Sequence, residues 1–149
     1  MKYNGLSLIA LLTVLLLSCS NSRDNSNTNY TAISLEKTRW EIDRLQQFPA
    51  DSLRMTPPVY IQLDSGRLKG FAGCNSLFGS YLLSGDTLRF DPVGSTKKFC
   101  NAGMEIENAL IMALHATNRY RFGNEQLELL NNDSLLATFR FMKPEGMME

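Results

Sequence analysis

The chain has 149 residues, of which 15 are Lys or Arg and 15 are Asp or Glu, and 44% of it is hydrophobic. That neutral balance removes the broad basic face that nucleic-acid binding needs. The length allows one domain with enough core for a single layer pair or a small barrel.

In chain order, residues 1–18 read as a signal peptide. Lys2 supplies the basic start, and "LSLIALLTVLLL" over 6–17 is broken only by Ser7 and Thr13. A bilayer-spanning helix takes about 20 apolar residues, so this run is a secretory core and not an anchor. It ends in "LLSC", residues 16–19, which resembles the bacterial lipobox: the small residue admits the processing peptidase and the Cys19 thiol accepts the lipid. Buried acyl chains contribute about 0.8 kcal/mol per methylene, so several on one residue hold a protein stably at a membrane. Ser20, where an aspartate would signal retention, favours the outer membrane. The expected product is a lipid-anchored protein of the bacterial cell envelope. Loss of the leader takes away Lys2 and no acid, leaving 14 basic against 15 acidic side chains.

Residues 19–35 are the expected tether. "SNSRDNSNTNYT" has no aliphatic side chain and cannot bury enough apolar surface to offset its ordering entropy. The folded domain is expected over 36–142, with 143–149 as a disordered tail.

Within the domain a period of two dominates. Trp40 and Ile42 alternate with Glu41 and Asp43; Val59, Ile61 and Leu63 alternate with Tyr60 and Gln62. "DSG" at 64–66 then turns the chain back through 67–72. Tyr81 to Leu83 meets a second turn, "SGD", before Leu88 and Phe90. Tyr120 and Phe122 precede "GNEQ", Leu127 and Leu129 precede "NNDS", and Leu135, Ala137, Phe139 and Phe141 share a face opposite Thr138 and Arg140. Short strands with regularly spaced turns predict an antiparallel meander that closes or nearly closes. Trp40, Phe78, Phe90, Phe139 and Phe141 are expected to point inward and fill it.

One helix interrupts this pattern at about residues 102–117. Ile106, Leu110, Ala113, Leu114 and Thr117 fall at helical spacing from Met104 onward, and Glu105 and Glu107 sit where the helix dipole favours acids. Met104 and Met112 read as packing residues of this helix.

With Cys19 assigned to the lipid, Cys74 and Cys100 remain, and in an oxidising compartment two cysteines in a small domain usually pair. Gly73 permits a close approach or bulge, Asn75 tolerates left-handed backbone and bonds to its own main chain, and both re-aim Cys74 inward; Gly79 serves the turn before Tyr81. A catalytic cysteine would need a base, and the only histidine is His115; a metal site would need further ligands, and the candidate methionines are scattered. No nucleophile elbow, phosphate loop, zinc-protease or dinucleotide motif occurs. No enzyme activity, metal or cofactor is expected.

The order of these features resembles the META domain family, the HslJ-like bacterial envelope proteins. The likeness runs from Trp40 through "PPVYIQL" (57–63), "KGFAGCNSLFGSY" (69–81), "DTLRF" (86–90), "GSTKKFC" (94–100) and "EIENALIMAL" (105–114) to "RYRFGNEQLELL" (119–130). Its most specific element is Gly73-Cys74-Asn75 with Phe78, Gly79 and Tyr81, which the resemblance implies are structural, as is Trp40. It implies a mainly β, barrel-like antiparallel fold with one packed helix, in proteins tied to envelope stress and carrying no established catalytic set. Two functions are then expected to compete: a non-enzymatic envelope module that supports integrity or stress resistance by binding a partner, and a carrier of a small hydrophobic ligand in the barrel interior.

Overall fold

Eight strands alternate in direction so that each hairpin buries one face. They are β1 (Arg39–Leu45), β2 (Tyr60–Asp64), β3 (Arg67–Phe71), β4 (Ser76–Ser84), β5 (Thr87–Ser95), β6 (Arg119–Gly123), β7 (Gln126–Asn131) and β8 (Ser134–Phe141); among the described residues one α-helix, α1 (Met104–Ala116), lies between β5 and β6, and a 3-10 turn (Ala50–Leu53) between β1 and β2. This computed structural model describes residues 33–123 and 125–142. The expected signal peptide, Cys19, most of the expected tether and the expected tail at 143–149 lie outside the described residues.

All pairings are antiparallel and form one sheet in the order β5-β4-β3-β2-β1-β8-β7-β6. The sheet curls into a half-barrel whose two edge strands meet at one point. There the Tyr120 N–H donates to the Asp86 carbonyl at 3.1 Å, and the Arg119 guanidinium holds the Asp86 carboxylate at 2.6 Å. Helix α1 packs against β5, β7 and β8 beside this seam.

The alternating residues supply the interior. Trp40, Val59, Ile61, Leu63, Leu88, Leu110, Leu114, Leu127, Leu129 and Phe139 are all 0% exposed. Each such side chain contributes roughly 1.5–3 kcal/mol through burial. Trp40 is anchored through Nε1, which donates to the Leu35 carbonyl at 2.9 Å, and the Phe122 ring meets it edge-on at 5.5 Å. Leu35, placed at the end of the tether by its polar surroundings, is therefore a core residue. Its carbonyl is the partner that a buried indole requires.

The helix carries its apolar stripe inward as spaced, with Ile106, Leu110, Ala113, Leu114 and Thr117 buried. Met112 departs from expectation. It is 71% exposed, because it lies two residues from Leu110 and so turns away from the stripe. Met104 is likewise exposed, at the first helical position.

Phe78 also departs from expectation, at 54% exposure. Leu77 takes the inward position on β4, so the period of two sends Phe78 to the convex face, opposite Lys69 and Gly94. There its ring covers Gly94, where a Cβ would stand 2.9 Å from the ring edge.

Candidate functional site

The densest set of polar contacts lies where β3 hands over to β4. Ala72, Gly73, Cys74 and Asn75 turn the chain, with the Ala72 N–H donating to the Asn75 carbonyl at 3.0 Å. Gly73 has φ +100° and faces Gly103, at φ +89°, which caps the start of α1. A Cβ on Gly103 would stand 2.8 Å from the Gly73 carbonyl carbon, so only glycines let the corner and the helix approach this closely.

Cys74 is joined to Cys100 by a disulfide, with the two Cα atoms 5.9 Å apart. Cys100 lies in the loop after β5, which ends at Ser95. The bridge fastens this loop to the corner.

Asn75 works differently from expectation. Its backbone is not left-handed, and its side chain reaches across to other segments. Oδ1 accepts from the Lys98 N–H and the Thr96 hydroxyl, both at 2.8 Å. Nδ2 donates to the Lys98 carbonyl and to Glu107 Oε1, both at 3.2 Å. A buried primary amide can make four such bonds, and this one does.

Glu107 completes the corner from the helix. It is 7% exposed, and its carboxylate accepts from the Asn75 N–H at 2.8 Å and from the Ser95 hydroxyl at 2.7 Å. Burying a carboxylate is costly unless it is hydrogen-bonded, and three donors meet that condition here. Spacing alone had placed Glu107 with the helix dipole. The overlooked signal is its position three residues before Leu110 and seven before Leu114, on the apolar stripe, where a carboxylate must find buried donors.

Gly79 lies inside β4, not in a turn. A Cβ there would run into the Pro92 carbonyl oxygen, at the point where the β4–β5 register shifts. Tyr81 is buried and donates through its hydroxyl to Glu36 Oε1. Burial first, then this bond to an acid, pushes the phenol up to about 12.

Chemically, the corner is a closed clasp. Both sulfurs are committed to the bridge, and every lone pair direction used by Glu107 already faces a donor. His115 is exposed and lines a separate cleft with Arg89, Asp91 and Asn118. Among the described residues, no three His, Cys, Asp or Glu side chains converge as metal ligands.

A curled antiparallel half-barrel, clasped to helix α1 at a Gly-Cys-Asn corner, defines the class of domain. The chain belongs to the META domain family, whose model matches residues 33–143. The match starts before residue 36, in keeping with the buried Leu35. Among solved structures, the fold is similar to an NMR structure of a protein from Burkholderia xenovorans at TM-score 0.61 and 25% identity, covering 73% of this chain and 84% of that one. It is also similar to a crystal structure of a duf4847 family protein from Bacteroides vulgatus at TM-score 0.51 and 13% identity, covering 71% and 93%. No curated protein matches the sequence.

Proposed function

We propose that this is a lipid-anchored META-domain protein of the bacterial cell envelope that acts without catalysis and supports envelope integrity or stress resistance by binding a partner. The observation that carries it is the sequence "LLSC" at 16–19, behind a short apolar core and ahead of a polar leash that feeds directly into the folded domain. Lipid on Cys19 holds the chain at a membrane, and a domain whose cysteines and buried carboxylate are all engaged in architecture offers surface and not chemistry.

The carrier reading has no supporting observation. The interior is occupied by Trp40, Phe139 and the aliphatic residues around them, all fully buried.

Two measurements test the proposal. Mass spectrometry of the N-terminal peptide, taken from protein extracted from membranes, is expected to show cleavage before Cys19 and acylation of that residue. A strain lacking the gene is expected to lose tolerance to heat, detergent or hydrophobic antibiotics, and to regain it from the wild type but not from Cys19→Ala. An unmodified N-terminus, or a deletion strain as tolerant as its parent, overturns the reading.

A further inference from the structure

The convex face of β3, β4 and β5 combines exposed apolar side chains with cations that enter none of the ion pairs among the described residues. Leu82 is 75% exposed and Phe78 is 54% exposed. The sheet register sets a cation beside each: Lys69 is directly opposite Phe78 and Arg89 directly opposite Leu82, with Arg67 opposite Ser80 between them. Residues paired in this way share one face. The ion pairs among the described residues engage Arg54, Arg119, Arg121 and Arg140 and none of Arg67, Lys69 and Arg89, although Asp64 is directly opposite Arg67. Of the acids nearby, Asp86 is held by Arg119 and Asp64 accepts from the Ser65 hydroxyl; Asp91 on β5 is exposed.

We infer that this face is a second membrane contact, which lays the domain against an anionic phospholipid bilayer with Leu82 and Phe78 entering the interface. The inference rests on the lipid anchor proposed above. Charge complementarity selects the occupant, since cations flanking exposed apolar residues suit anionic headgroups over acyl chains. The leash brings the two together. It joins Cys19 to Ile33, 14 positions on in the sequence. Its root lies along the same run of strands: the Lys37 N–H donates to the Leu63 carbonyl on β2 at 2.7 Å, and Glu36 accepts from the inward-facing Tyr81 on β4.

The test uses mature chain from Cys19 onward, in acylated and acyl-free forms, with vesicles of phosphatidylglycerol and phosphatidylethanolamine or of phosphatidylcholine alone. Acyl-free protein is expected to sediment with the anionic vesicles and to be released by salt. Replacing Arg67, Lys69 and Arg89 together by Gln is expected to weaken this by about a hundredfold, at about fivefold for each cation near a charged surface. Leu82→Ser is expected to weaken it by about tenfold. On acylated protein, brominated lipid is expected to quench Leu82→Trp but not Met112→Trp on the helix, against the constant signal of the buried Trp40.

Equal quenching at positions 82 and 112, or no sedimentation of the acyl-free chain at low salt, overturns the contact while leaving the anchor intact. An unmodified Cys19 overturns the anchor and, with it, the geometry on which the contact depends. Unchanged unfolding midpoints for the surface variants separate a lost contact from a lost fold.

Discussion

Replacing Glu107 tests whether the clasp holds the fold together. Glu107→Ala removes the acceptor of three bonds at 2.7–3.2 Å. The Ser95 hydroxyl can rotate to another partner, and Asn75 Nδ2 keeps the Lys98 carbonyl. The Asn75 N–H has no alternative, and an orphaned buried donor costs about 1–3 kcal/mol. Loss of the charge-assisted bonds and of the side chain's packing brings the expected loss to about 3–4 kcal/mol. Glu107→Gln keeps the shape, and its oxygen can still accept from the Asn75 N–H. Its amide then meets Asn75 Nδ2 donor to donor, so about 1–2 kcal/mol is expected. Urea unfolding of the oxidised protein, with common slopes, measures both. A Glu107→Ala loss below about 1 kcal/mol, or a Gln variant as damaged as Ala, would refute the assignment of Glu107 as an obligatory acceptor.

Three further outcomes follow from the same geometry. Replacing Cys74 and Cys100 together by Ser is expected to cost about 3–4 kcal/mol, the loop-closure value for a separation of 26 residues; an unchanged urea midpoint counts against it. Tyr81 has its folded pKa raised to about 12, so its contribution is fully present below the ordinary value near 10 and is lost as pH rises through the folded one. Wild type should therefore lose about 2 kcal/mol more than Tyr81→Phe between pH 9 and 12, read as the difference between their stability profiles. Gly79→Ala places a methyl against the Pro92 carbonyl and is expected to cost about 1–3 kcal/mol by overpacking, whereas Gly85→Ala at an open turn should be felt only through its backbone conformation.

Much of the fold was legible because burial on one face of a strand or helix writes itself into the sequence at a period of two or near four. Trp40, Ile42, Val59, Ile61, Leu63, Leu127, Leu129 and Phe139 announce their strands in that way, as Ile106, Leu110 and Leu114 announce the helix. The misreadings share one cause. An aromatic or sulfur-containing residue is apolar whichever way it points, so Phe78 and Met112 were assigned inward by type, although Leu77 and Leu110 already held the inward positions beside them. Asn75 and Glu107 were misread for the complementary reason. Their roles depend on each other across a sequence separation of 32 residues, and polar type alone suggests a turn or a helix end.

That contrast separates where the fold is specified from where the protein meets its surroundings. A disulfide fastens two segments but leaves their relative rotation free, and the four bonds of the Asn75 amide remove that freedom by fixing the Lys98 backbone from both its N–H and its carbonyl. Glu107 then ties the pair to the helix, so three segments far apart in sequence share one set of donors and acceptors, and loss of one member weakens the others. The convex face obeys the opposite logic. Phe78, Leu82 and their flanking cations contribute little to the core, so substitutions there should leave the unfolding midpoint in place while changing what the domain touches. Measuring stability and vesicle binding on the same variants therefore assigns each residue to one role or the other: Glu107 and Asn75 should move the first, and Leu82 and Arg89 the second.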